Sequence, residues 1–466
     1  MAVYKPSRPS HPGPFAWIAL AAILALAGAL RLVGIGYGLP LPLLNPDEAS
    51  IVPRAWSIAH GGGLDPGWYD YPSLLMYLLA PVQAPFADPS YAAGRVVAVV
   101  LGVAGVAAAW WLGRRAYGTG AALVGAAAVA VATTHVAYSR TAVTDVLLTL
   151  GVTCSLALLL EGRLEWAGLA AGLAASAKYP GAILAVPLLV AGFGEWRRLS
   201  RAAAAGVLAF AITSPFVLVH AGAAWDDVTR VQRRARAGWL GFEGDPATPL
   251  AFLDRTWEAL GPLLLLVLLG LVVALVRRRR ADLVLLSFAL AYWLYLMPLE
   301  AHFDRYVLPL VPVLAVLAGR VRVAVPLALA LLVVPLVWSA RDARDLTTTD
   351  ARLRAEAWIE ANVPRKTEIA ADPSTLPLEG RPVVRLGLPG PGRPVDPRRD
   401  VDRLEAAGVE LVLVSGAVAD RVLAARQRYP REARFYDELA RKAEVAFQAG
   451  PDDPGLAGPW VRVYRL

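Results

Sequence analysis

Asn45-Pro46-Asp47-Glu48 places two adjacent carboxylates soon after the first apolar run of the chain. An acidic pair there is either a helix cap or a chemical centre. As a cap it would use Asn45 at the N-cap and Pro46 at the first helical position. Glu48 would reach back to complete a capping box, and both charges would favour the positive helix end. The two readings are compatible, because a helix start holds a carboxylate rigidly. Further on, Thr141 and Asp145 are four residues apart and would share a face if a helix extended that far. The plain alternative is an interfacial Arg140 followed by an N-cap for the next helix. Lys178 lies between two short apolar runs and is either a functional cation or a lysine snorkelling at a helix end. His302, with Asp304 and Arg305, could ligate a metal or bind phosphate, although a lone loop histidine more often does neither. Arg230, Arg233, Arg234 and Arg236 read as a solvated or headgroup-facing patch that could collect an anionic lipid.

The elements that must position these groups belong to a membrane protein. At 466 residues, with 57% hydrophobic and 18% charged, the chain is too apolar for a soluble enzyme and too long for one compact domain. The net charge of +8 does not imply nucleic acid, because the arginines sit in short clusters between apolar runs with no aromatic-interleaved basic stripe. Cys154 stands alone, so no intramolecular disulfide can form. Residues 1–14, with Lys5 and Arg8, read as a cytoplasmic tail. Residues 15–32 approach the roughly 20 needed to cross a bilayer, and read as an uncleaved first helix rather than a signal peptide.

A loop over 34–71 follows, holding the acidic pair, Arg54, His60, Asp65 and Asp70, with turns marked by Gly61-Gly62-Gly63 and Pro66-Gly67. The apolar piece 72–86 is marginal for a span and fits a helix along the membrane face. If it does not cross, spans fall near 93–112, 120–137, 144–160, 164–177, 180–193, 202–219, 261–276, 282–298, 306–319 and 322–338, about eleven with the first. Every tight arginine cluster then lies in a cytoplasmic loop: Arg114-Arg115, Arg163, Arg197-Arg198 with Arg201, the run 277–280, and Arg320 with Arg322. The outer face receives the first loop, Ser139 to Asp145, the turn at Lys178, the loop 220–262 and Glu300 to Arg305. Placing a charge at the bilayer centre costs about 2.5–3.5 kcal/mol or more. The mixed set of carboxylates and cations on the outer face is therefore where a reaction site would be.

From Arg341 onward about a third of the residues are charged, above the roughly one quarter usual in soluble domains. Residues 341–466 read as a small extracytoplasmic α/β domain. Helices are expected over 350–362 and 431–449, and strands over 382–386, 409–414 and 460–464. The domain carries no phosphate loop, metal-ligand spacing or nucleophile elbow, so it is assigned no chemistry.

Five motifs stand in order along the chain: Asn-Pro-Asp-Glu, then Tyr69-Asp70-Tyr71-Pro72-Ser73-Leu74-Leu75-Met76-Tyr77, then Ser-Arg-Thr-Ala-Val-Thr-Asp from Ser139. Ala175-Ser176-Ala177-Lys178-Tyr179-Pro180-Gly181 and Arg305-Tyr306-Val307-Leu308-Pro309-Leu310-Val311-Pro312 complete the set. Together they resemble membrane glycosyltransferases of the GT-C fold, of the protein O-mannosyltransferase and aminoarabinose-transferase type (families 39 and 83). The resemblance covers most of 15–340, and the tail is similar, more loosely, to extensions of bacterial members. It implies a polyprenyl-phosphate sugar donor, an extracytoplasmic glycan, lipid or protein acceptor, and inversion at the anomeric carbon. Asp47 matches the catalytic carboxylate, with Glu48 beside it. Arg140, Lys178 and Arg305 would bind the lipid phosphate, with Asp145 and His302 as further contacts. Where aminoarabinose-type relatives carry Lys-Pro-Pro-Leu this chain has Tyr71-Pro72-Ser73-Leu74, so a lysine contact is missing, and Asp70 and Tyr71 stand as substrate contacts instead. A divalent metal is permitted, but no ligand spacing demands one.

Two other classes compete. A transporter or lipid flippase would place ionisable or broken-helix sites near the midplane and often show internal repeats. No clear repeat is found, and the candidate groups lie at one face. A non-catalytic membrane scaffold would bind through its outer domain and leave the acidic pair dispensable.

Overall fold

A computed structural model of the chain describes residues 12–321 and 325–466; the tail with Lys5 and Arg8, and Arg322, lie outside the described residues. The fold is mainly helical, with a mixed α/β region at the C-terminal end. Three described helices are long and apolar enough to cross a membrane: Pro14–Leu32, Tyr91–Ala116 and Val325–Asp345. Thr248–Leu260 and Leu263–Arg277 pass that test as a pair bent by 114°. The bend falls where Gly261 takes a positive φ of 56° and Pro262 lacks an amide donor.

Several expected spans are broken, and prolines stand at most of the breaks. The run 180–193 is a 3₁₀ turn, Tyr179–Leu184, followed by Ala185–Ala191. The run 202–219 is Trp196–Thr213 and then Pro215–Val219, and 306–319 is a 3₁₀ turn, Asp304–Leu310, leading into Val311–Ala318. The run 120–137 divides at Ala132 into Thr119–Val131 and Thr133–Tyr138. Irregular backbone at such positions is tolerated when protein surrounds it, and every residue of Val311–Ala318 is buried. The piece 72–86 contains a helix of only 10 residues, Leu74–Gln83; at 1.5 Å per residue it is about 15 Å long, half a bilayer core. It packs on Glu48–Ala59.

Small residues set how closely the helices approach. A Cβ on Gly168 would strike the carbonyl of Ala202, and one on Gly172 that of Gly206, so Leu164–Ala177 and Trp196–Thr213 meet backbone to backbone. That contact fixes the helix whose end carries Lys178. Charged loops gather at two ends. Glu161 holds Arg115 and the Trp111 indole, Arg198 meets Glu165 at 3.1 Å, and Asp282 accepts from Tyr117 and Arg320. The acidic pair and the C-terminal region lie at the opposite end.

The C-terminal region has seven strands: β1 (Thr349–Asp350), β2 (Ile369–Ala371), β3 (Val383–Arg385), β4 (Leu411–Ser415), β5 (Glu444–Ala449), β6 (Leu456–Ala457) and β7 (Val461–Arg465). Five form a sheet in the order β3-β2-β4-β7-β5, parallel on the β3 side of β4 and antiparallel beyond it; β1 pairs with β6. Alternation divides the sheet into two cores. Ala370, Val412 and Val414 meet Phe435 and Leu439 on one face, and Ile369, Leu411 and Leu413 meet Ile359 on the other. The helix expected over 431–449 ends at Lys442, because Val445-Ala446-Phe447-Gln448 joins β5 and pairs with β7. The helix Val333–Asp345 runs across the expected boundary at 341. Arg352, held by Asp350, donates to the Leu43 carbonyl at 2.9 Å and ties this region to the first loop.

Candidate active site

The acidic pair is not a capping box. Helix Glu48–Ala59 begins two residues later than the capping pattern predicts, with Asp47 as N-cap; the Asp47 amide donates to Asn45 Oδ1 at 2.9 Å, closing an Asx turn. This turn sends the two carboxylates in different directions. Glu48 goes inward and is fully buried. Arg95 Nε and Nη2 donate to its two oxygens at 3.0 and 2.8 Å, and the Ala142 amide donates to Oε1 at 2.9 Å. With both oxygens engaged, Glu48 pins the first loop to the helix Tyr91–Ala116, and the expectation of a second catalytic carboxylate gives way to a structural role.

Asp47 faces the other way, into a cluster drawn from five segments. Its Oδ2 accepts from Arg305 Nη1 at 2.6 Å and from the Tyr71 hydroxyl at 2.9 Å. Tyr71 precedes the short helix Leu74–Gln83, and Arg305 is the second residue of the 3₁₀ turn Asp304–Leu310. Lys178, at the end of Leu164–Ala177, lies 5.3 Å from the Tyr71 ring centre and 5.5 Å from that of Tyr306. Its ammonium donates to Asp145 Oδ1 at 2.6 Å. Two buried atoms here make no hydrogen bond within the described residues: Arg305 Nε and Asp145 Oδ2. Thr144 Oγ1, beside Asp145, and Ser73 Oγ, two residues after Tyr71, are likewise without a partner, and such buried unpaired groups mark where a polar group from outside could be received.

Burial pushes the Asp47 carboxyl up, but the Arg305 guanidinium, its hydrogen bond, Tyr71 and Lys178 outweigh it, so the carboxyl sits below its ordinary value. Asp47 is thus ionised at neutral pH but held as half of an ion pair. Asp70 shows the opposite balance: burial raises it more than its contact with Arg230 lowers it. Arg230, on helix Ala221–Ala237, bridges Asp70 at 2.6 Å and Asp227 at 2.8 Å.

The remaining sequence candidates stand elsewhere. Arg140 is fully buried and donates to the Leu30 carbonyl at 2.8 Å and to Asp342 at 2.6 Å, tying the first helix to Val333–Asp345. Its guanidinium is committed to those partners, so its expected phosphate contact is replaced by a structural tie. Thr141 precedes the helix Thr144–Leu160 and donates to the Tyr138 carbonyl, so it shares no helix face with Asp145. His302 is buried between Asp245, at 3.1 Å from Nδ1, and Thr248, at 3.2 Å from Nε2, away from the Asp47 cluster. Among the described residues no group of three or more His, Cys, Asp or Glu could hold a metal ion. Sequence reasoning missed Arg95 and Tyr306. A signal for Arg95 existed: a lone arginine in an apolar run needs a buried carboxylate or backbone carbonyls to pair with.

An apolar groove of about 980 Å³ lies along the helices Leu164–Ala177, Ala185–Ala191 and Trp196–Thr213, lined by Gly172, Ala175, Tyr179, Leu189 and Phe210 among others. Of its lining residues Tyr179 follows Lys178 directly in the chain, and none belongs to the Asp47 cluster itself.

The family model described as dolichyl-phosphate-mannose-protein mannosyltransferase matches residues 70–219. No curated protein matches the chain. Among solved structures, ArnT from Cupriavidus metallidurans in the apo state is 16% identical, with a TM-score of 0.61 over 96% of this chain and 97% of that one. The same protein bound to undecaprenyl phosphate is 15% identical, with a TM-score of 0.60 over 97% and 98%. The Archaeoglobus fulgidus oligosaccharyltransferase AglB, in complex with an inhibitory peptide and a dolichol-phosphate, is 14% identical, with a TM-score of 0.59 over 96% and 74%. The chain shares the fold of these solved structures over nearly its whole length.

Proposed function

We propose that this chain is an inverting glycosyltransferase that moves a sugar from a polyprenyl-phosphate donor to a hydroxyl acceptor on the extracytoplasmic side, with Asp47 as base. The observation that carries the reading is the convergence of one partly exposed carboxylate, Asp47, with two cations, Arg305 and Lys178; an apolar groove is lined in part by Tyr179, the residue after Lys178. Transfer from a lipid phosphate needs those parts: a base for the acceptor proton, positive charge for the departing phosphate, and a dry channel for the isoprenoid tail. The fold shared with ArnT bound to undecaprenyl phosphate and AglB bound to a dolichol-phosphate supports the same donor class.

The donor phosphate meets Arg305 and Lys178, with its tail along the groove. The phosphate competes with Asp47 for Arg305, whose Nε is unengaged. Once the ion pair loosens, burial dominates and Asp47 becomes a stronger base. The acceptor oxygen then attacks the anomeric carbon from the face opposite the phosphate. Its proton goes to Asp47, the bond from carbon to phosphate oxygen breaks, and the electron pair leaves on the phosphate. One displacement inverts the carbon. Asp145 positions Lys178, and its free Oδ2 is placed to accept from a sugar hydroxyl. Tyr71 orients Asp47 through its hydroxyl, and Asp70, held by Arg230, is a further substrate contact. No step is routed through a metal, because Arg305 and Lys178 supply the charge.

The finer topology belongs to the same proposal. About eleven crossings put the arginine clusters of the Glu161 and Asp282 end in the cytoplasm. The Asp47 cluster and residues 341–466 then lie outside, in the cell membrane's outer compartment. The test is transfer itself: the purified chain in lipid, given labelled polyprenyl-phosphate sugars and mixed hydroxyl acceptors, yields labelled product of inverted configuration. Release of donor across the bilayer without transfer would favour the flippase reading.

A further inference from the structure

The loop after helix Ala221–Ala237 joins the two parts of the molecule. Leu240 is 1% exposed and belongs to the core of the C-terminal sheet, beside Leu386, Val401 and Phe435. Its neighbour Trp239 packs against both that core and the core of the helical part. Gly238 and Gly241 allow this with φ near +100°, and Glu243 accepts from the Tyr429 hydroxyl at 2.5 Å.

A stack of rings and cations runs through this junction to the candidate site. Arg393 of the C-terminal region lies 4.6 Å over the Trp239 ring, Trp239 meets Phe303 at 5.7 Å and 63°, and the Arg305 guanidinium lies 5.1 Å from the Phe303 ring. Phe242 closes on Phe303 edge-on at 5.0 Å and 87°. The backbone is coupled too, since the Ala235 carbonyl accepts from the amides of Glu300 and Ala301 at 3.0 and 2.9 Å. Arg305 donates to Asp47 through Nη1, with Nε unengaged, and the Phe303 ring against its guanidinium is a second contact that aims the side chain.

We propose that the C-terminal domain is a positioning module for Arg305, acting through Trp239 and Phe303. This rests on the reading of Arg305 as a donor-phosphate contact. The domain has no chemistry of its own. By clasping the loop 238–245 it fixes the Phe303 ring, and the ring sets the direction from which Arg305 meets either Asp47 or a phosphate.

The test uses the full chain in lipid nanodiscs and the retention of radiolabelled undecaprenyl phosphate, with transfer kinetics alongside. Phe303→Leu and Trp239→Ala are expected to weaken retention and raise the donor KM by about tenfold, a shift typical of lost positioning contacts. Phe303→Tyr restores both, and the double variant is little worse than either single one, because the two act in one chain. Phe447→Leu is the control: its ring stacks on Trp358 on the other sheet face, at 5.3 Å, and it lowers stability without touching retention. Variants that lose folded protein while each remaining molecule retains the parent's affinity would overturn the proposal, leaving the donor reading intact. Retention in the parent that is indifferent to Arg305→Gln would instead overturn the donor reading on which it stands.

Discussion

Glu48→Gln separates the two members of the acidic pair. The Glu48 carboxylate is 0% exposed and takes three hydrogen bonds, two from Arg95 and one from the Ala142 amide. The amide keeps one acceptor but turns an NH₂ toward a guanidinium that can only donate, and it removes the negative charge. Breaking a buried ion pair from one side costs about 3–5 kcal/mol. Arg95 keeps its bonds to the Ile35 and Tyr37 carbonyls at 2.9 and 2.7 Å, so the lower end, about 3 kcal/mol, is expected. The assay is unfolding of the purified chain in mixed micelles by tryptophan fluorescence, with turnover per folded molecule measured in parallel. Glu48→Gln should lower stability by that amount while turnover per folded molecule stays within a few-fold. Asp47→Asn, whose side chain is partly exposed and makes only two side-chain bonds, should do the reverse. Unchanged stability with a hundredfold loss of turnover in Glu48→Gln would refute the division of roles.

Three further outcomes follow from the geometry. Arg140→Ala should destabilise the chain by about 1.5–3 kcal/mol, the range for charged hydrogen bonds, and leave the donor KM unchanged; a rise in KM would return Arg140 to the phosphate site. The pH profile of kcat/KM, which reports the free enzyme, should have a low acid limb, because the depressed Asp47 group stays ionised until pH falls below the ordinary carboxylate range. Arg305→Gln removes the main lowering influence and leaves burial, so the acid limb of its residual activity should move up; an unmoved limb would mean that another group titrates there. Gly172→Leu drives a side chain into the Gly206 carbonyl, and overpacking of this kind costs about 1–3 kcal/mol. Since that contact holds the helix ending at Lys178, donor affinity should fall with it, as competition by undecaprenyl phosphate would show.

The membrane class, the α/β tail and the identity of Asp47, Lys178 and Arg305 as neighbours were legible because each leaves a mark in one dimension. Long apolar runs, a jump in charge after Arg341 and ionisable groups beside apolar segments are local signals. What could not be read was direction. Asp47 and Glu48 differ by one position, and only the Asx turn at Asn45 and a partner 47 residues away in Arg95 decide that one faces the site and the other the core. Arg140 looked like Arg305 in sequence, yet Asp342, far along the chain, claims it. Spans such as 120–137 and 306–319 read as continuous because hydropathy is blind to backbone breaks, which Pro309 signals in the second and no proline signals in the first. The strand at Glu444–Ala449 was hidden by the amphipathic helix that runs directly into it.

The most direct measurement compares the parent chain with Asp47→Asn, both reconstituted in lipid and matched for folded protein, for transfer of label from a polyprenyl-phosphate sugar. General-base assistance is worth roughly 10²–10⁴ in rate, so turnover should fall by that factor while undecaprenyl phosphate still binds. Equal transfer by the two chains would contradict the assignment of Asp47 as the base.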